Sequence, residues 1–111
     1  MNNPIFVEYL PLEDNPKATH LKVQLYYDLG GYNYFTYNAE PRGYYMSASP
    51  VCHSEHCESY TAFTGNKLCI LEVPRKSKKA EEQAKALFDE QKDIIIRHTL
   101  IKNNLTLKEE K

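Results

Sequence analysis

Along residues 20–27 the chain alternates, with Leu21, Val23, Leu25 and Tyr27 on one side and Lys22, Gln24 and Tyr26 on the other. Period two marks a strand with one face buried. Shorter apolar segments at 5–10, 44–51, 59–64 and 68–73 read as further strands. Turn residues at Gly30-Gly31, Pro41-Arg42-Gly43 and Gly65-Asn66 separate them. Strands joined by short turns pair antiparallel. From Ser77 the period changes. Ala80, Ala84, Leu87, Gln91, Ile94, His98 and Ile101 recur every three or four residues, and Phe88 and Ile95 widen the stripe. That pattern predicts an amphipathic helix over about 77–103, with Ser77 as N-cap, Glu81-Glu82 in the first turn and Asn103-Asn104 closing it. The predicted class is α+β. An antiparallel sheet of four to five strands carries one long C-terminal helix on one face. Residues 1–111 form a single domain, with strands within 5–73 and a frayed tail over 104–111.

Composition narrows the function. The net charge of −1 hides a split. Residues 1–72 hold four basic and eight acidic side chains, a balance of −4, and residues 73–111 hold ten and seven, a balance of +3. The chain is not basic overall, which argues against tight nonspecific binding to duplex nucleic acid. The longest aliphatic run, Ile94-Ile95-Ile96, is far too short for a membrane span. No basic-then-apolar leader is visible, and the three cysteines fit a reducing compartment, so the expectation is the cytoplasm. No phosphate loop, nucleophile elbow or spaced carboxylate pair is present, and the chain reads as a non-enzyme.

Two features carry chemistry. Cys52-His53-Ser54-Glu55-His56-Cys57 packs four soft-metal ligands, Cys52, His53, His56 and Cys57, into six residues. Zinc accepts thiolate and imidazole in a tetrahedron, so a structural zinc ion is expected here. Adjacent Cys52 and His53 point apart if extended. One ion would then take three of the four, with His20, Glu55, Glu58 or Cys69 completing the shell. The alternative is a polar loop rich in Cys and His. A lone Cys69 within an apolar strand reads as core.

The second feature is aromatic. Tyr26, Tyr27, Tyr32, Tyr34, Phe35, Tyr37, Tyr44 and Tyr45 place eight of thirteen aromatic residues within twenty positions. Tyrosine is a favoured interface residue, though strands also favour it as a core cover. Beside it, the run Arg75-Lys76-Ser77-Lys78-Lys79 sets cations at a helix N-terminus, where they oppose the dipole unless something anionic faces them. The expected partner-binding set is therefore Tyr32, Tyr34, Phe35, Tyr37, Arg42, Tyr44, Arg75, Lys76, Lys78 and Lys79. A protein partner is the first reading. Stacking of single-stranded nucleic acid on the rings is the alternative.

Through Gly30-Gly31-Tyr32-Asn33-Tyr34-Phe35-Thr36 and Glu40-Pro41-Arg42-Gly43-Tyr44-Tyr45, the chain resembles small uncharacterised proteins of phages and other mobile elements of gut and Gram-positive bacteria. The resemblance runs from about residue 21 to 79, and the Cys/His insert within that span is not part of the shared pattern. In type, the chain is also similar to anti-CRISPR proteins that inhibit Cas9. That resemblance implies a stoichiometric inhibitor that docks on a Cas9-type effector in the bacterial host and blocks guide or target loading.

Overall fold

The computed structural model describes residues 4–13, 15–35, 37–55 and 57–108. Seven strands and one helix follow one another: β1 (Phe6–Pro11), β2 (His20–Asp28), β3 (Gly31–Asn33), β4 (Asn38–Glu40), β5 (Gly43–His53), β6 (Glu58–Tyr60), β7 (Asn66–Glu72) and α1 (Lys78–Asn103). The α+β class is as the alternation and the helical period predicted. Five strands form one curled antiparallel sheet in the order β1-β2-β5, with β6 and β7 sharing the far edge of β5. Only β3 and β4 stand apart, as a two-stranded hairpin between β2 and β5.

The alternation in β2 sets the layers. Leu21, Val23 and Leu25 are fully buried beneath the helix, and their cross-strand neighbours Pro50, Ala48 and Met46 continue that face. Burying each such aliphatic side chain contributes about 1.5–3 kcal/mol. Ala80 and Ala84, small and buried, let the start of α1 come close to the sheet, and Phe88 packs edge-on against Phe6 at 5.4 Å. Thr99 ties the far end. Its hydroxyl donates to the Ile95 carbonyl at 2.8 Å and accepts from Asn66 Nδ2 at 2.9 Å.

The buried face of α1 differs from the predicted stripe. The helix buries Ala80, Ala84, Phe88, Ile95, Ile96 and Thr99, whereas Ile94 and Ile101 are 56% and 72% exposed. The predicted positions repeat every 3.5 residues and a straight helix turns every 3.6, so the stripe drifts about 20° per heptad. It begins against the sheet at Ala80 and ends in solvent at Ile101.

The caps are as expected. Ser77 accepts from the Ala80 amide, and Asn104 closes the helix in the left-handed region at φ 55°. Beyond it the predicted frayed tail is docked as far as Lys108. The Lys108 amide donates to the Pro11 carbonyl at 2.8 Å, Leu107 bridges Leu12, and Leu105 and Leu107 pack against the core. Two alternating leucines supply the apolar face that such docking needs.

Candidate functional site

The β3–β4 hairpin is built by local hydrogen bonds. Asp28 Oδ1 accepts the Gly30 amide at 2.7 Å, and Asn33 Oδ1 accepts the Phe35 amide at 2.9 Å, the short-range turn chemistry of Asp and Asn. Gly30 sits at φ +72°, where an added Cβ would lie 2.5 Å from the Glu40 carbonyl oxygen, so glycine alone fits. Tyr37 holds a left-handed φ of 58° to turn the chain back. From the turn end of β3, Asn33 Nδ2 donates back to Glu40 at 3.1 Å, and at the base Lys67 bridges Glu40 and Asp28 at 3.1 and 3.9 Å. The Asn33 amide and Lys67 hold the Glu40 carboxyl below its usual range.

What this frame presents is aromatic. Tyr32, Tyr34, Phe35 and Tyr37 are 52%, 77%, 96% and 77% exposed, with Tyr32 and Tyr34 in edge contact at 4.9 Å. Leu29, 62% exposed at the hairpin base, adds to the apolar surface, and nothing in the local pattern singled it out. Of the other aromatics of the block, Tyr27, Tyr44 and Tyr45 are buried, and Tyr26 is half-buried and stacked on Tyr45. Tyr44, expected on the partner-binding surface, is 1% exposed and belongs to the core with Tyr27. It lies in β5 opposite Tyr27, on the helix-facing side that strand alternation dictates.

The sheet pairing brings the basic run to the same end of the molecule. Gly43 pairs with both Asp28 and Glu72, so the hairpin and the connection from β7 to α1 leave the sheet side by side. Arg42 stitches them, donating from Nε to the Leu29 carbonyl at 3.2 Å and from Nη1 to the Pro74 carbonyl at 3.5 Å. The Tyr27 and Tyr44 hydroxyls donate to the Val73 and Ser77 carbonyls, and Lys76 lies 5.5 Å over the Tyr27 ring. Arg42, Arg75, Lys76, Lys78 and Lys79 are exposed, and among the described residues none of them forms an ion pair. Nine of the ten expected partner-binding residues are thus exposed at one end.

The Cys/His stretch lies at the opposite end of β5. Cys52 and His53 are consecutive strand residues, paired with Ser59 and Glu58, and project from opposite faces. Cys52 Sγ donates to the Lys17 carbonyl at 3.3 Å, and Cys57 Sγ lies 3.4 Å from Ser54 Oγ. His56 lies outside the described residues, among which no three His, Cys, Asp or Glu side chains converge to hold a metal ion. His53 instead stacks on Tyr9 at 4.0 Å and meets His20 at 5.5 Å, beside the Lys22–Glu58 ion pair at 2.9 Å. Burial first and then His53 lower the His20 pKa, and a hydrogen bond from Tyr9 holds Glu58 low. Cys69 is half-buried opposite Tyr45, where burial raises its thiol pKa.

No helix among the described residues is long and apolar enough to cross a membrane. No family model, curated protein or solved structure matches this chain.

Proposed function

We propose that this chain is a non-enzymatic binding protein that docks on a protein partner through the β3–β4 hairpin, with the basic junction as a flank. One observation carries the reading: four aromatic rings, 52–96% exposed, stand on a hairpin tied down at its base. Exposed rings of this size are costly to leave in water and contribute most at the centre of an interface. A rigid hairpin also loses little freedom on binding. The partner class follows from the resemblance, which points to a Cas9-type effector and to a block of guide or target loading. Cytoplasmic location in a bacterial host belongs to the same proposal. The test is a titration of purified chain against Cas9, with and without guide RNA. A complex that Phe35→Ala weakens supports the reading, and no complex at micromolar concentration removes Cas9 as the partner.

A second reading has its own support. Arg42, Arg75, Lys76, Lys78 and Lys79, in no ion pair among the described residues, stand beside the rings and suit a single-stranded nucleic acid, with bases stacked and phosphates neutralised. Binding to an oligonucleotide would then weaken steeply with salt. A flat titration at low salt excludes it.

A structural zinc ion is part of the proposal at the other end. With His53 engaged by Tyr9 and His20, the ligand set to test is Cys52, His56 and Cys57 with a fourth donor. Metal analysis of reduced protein tests it, together with the melting temperature before and after chelator. A zinc-dependent loss of stability supports a clip, and metal-free protein with an unchanged melt rejects it.

A further inference from the structure

We propose that the outer stripe of α1, with the free edge of β7, forms the contact between two copies of this chain. The inference is independent of the hairpin reading. Leu87, Gln91, Ile94, His98 and Ile101 follow one another at spacings of four, three, four and three, the repeat that a helix presents to a second helix. The chain's own sheet does not use that stripe, since Ile94 and Ile101 are 56% and 72% exposed. Between the stripe and β7 runs an open groove of about 270 Å³, lined by Leu68, Met46, Ile94 and Ile95 among others. Leu68 is itself 48% exposed. Among the described residues β7 pairs only with β5, so its outer backbone groups are open to a further strand.

The occupant is a second copy because the stripe complements itself in one orientation. Set two α1 helices antiparallel about a two-fold axis, with Gln91 against the second copy's Ile94. Leu87 then meets His98. The same register sets Glu90 beside the second copy's Arg97, twice by symmetry. Both residues are exposed, and neither forms an ion pair among the described residues. A parallel pair would instead place Glu90 beside Ile95 and leave both charges unmatched. The antiparallel two-fold also puts both sheets on the same side of the helix pair and brings their β7 edges together beneath it. Such an isologous contact closes after two copies.

Sedimentation equilibrium on the purified full chain tests this. Wild type is expected to dimerise, and Ile94→Lys to weaken the dimer at least about 100-fold without lowering the melting temperature of the monomer, because that side chain is more than half exposed. Glu90→Arg is expected to weaken it about five-fold through two lost pairs, and Glu90→Arg combined with Arg97→Glu to restore it. Wild type that stays monomeric at about 0.5 mM overturns the proposal, as a dimer with Kd below about 0.1 mM would leave most chains paired there. A dimer indifferent to Ile94→Lys also overturns it, and a double variant weaker than Glu90→Arg alone overturns the antiparallel register.

Discussion

Tyr27, Tyr44 and Tyr45 are 1–5% exposed, and Tyr32, Tyr34 and Tyr37, drawn from the same twenty residues, are 52–77% exposed. The buried group lies in paired strands and gives each hydroxyl a backbone acceptor, at Val73, Ser77 and Pro41. A buried phenol needs such a partner, or it forfeits the hydrogen bond it had with water. The exposed group stands on a hairpin outside the main sheet, with none of the described residues layered over it. The same residue type is therefore core in one region and available surface in the other. What separates them is strand pairing and not composition.

Four tests bear on that contrast, from the largest effect to the smallest, beginning with a comparison of two single variants. Tyr44→Ala opens a cavity under α1 and should cost about 3–5 kcal/mol, read from urea denaturation followed by circular dichroism. Phe35→Ala should stay within about 0.5 kcal/mol of wild type in the same experiment. If both destabilise alike, the hairpin is part of the core and the contrast is broken. Tyr34→Ala combined with Phe35→Ala should cost about 2–4 kcal/mol in affinity for the docked partner while leaving the urea midpoint in place. Calorimetric titration reads that directly, and full affinity would move the docking surface elsewhere.

Gly30→Ala lies between the two regions. Its φ of +72° and the Glu40 carbonyl at 2.5 Å from an added Cβ make alanine strained there. The expected cost is on the order of 1–3 kcal/mol, confined to the hairpin and visible as faster amide exchange in β3 and β4 but not in β2. Uniform loss of protection would instead mean that the hairpin and the sheet unfold as one unit.

The smallest effect is in acid. Glu40 has its folded pKa lowered, first by the Asn33 amide and then by Lys67. Its contribution is present above the ordinary carboxylate pKa, about 4.3, and is lost as pH falls through the lowered value. The Asn33 side-chain amide resonances should hold steady through neutral pH and shift only in acid. A shift near pH 6 would assign the tie at the hairpin base to another group.

Much of this was legible in the residues. Alternation in 20–27 identified β2 and its buried face, and Ser77 and Asn104 marked the ends of α1. The predicted strand over 59–64 shrank to Glu58–Tyr60, because β7 takes the rest of that edge of β5. The hairpin was seen only as an aromatic block after a glycine break, since three-residue strands are too short to show a period. Strand geometry likewise set Cys52 and His53 on opposite faces, as adjacent residues in an extended chain must be. The stack of His53 on Tyr9 joins positions 44 apart and leaves no local trace.

By itself the sequence determined the longer strands, where the helix begins and ends, and which side chains of those strands share a face. Those are properties of neighbouring residues, set by backbone geometry and side-chain period. Only the tertiary structure decided which stripe of α1 turned inward, which tyrosines were covered, and that the aromatic hairpin and the basic run share one end. Such choices depend on pairing between distant strands and on the space between layers. A local pattern of hydrophobic and polar residues carries no record of either.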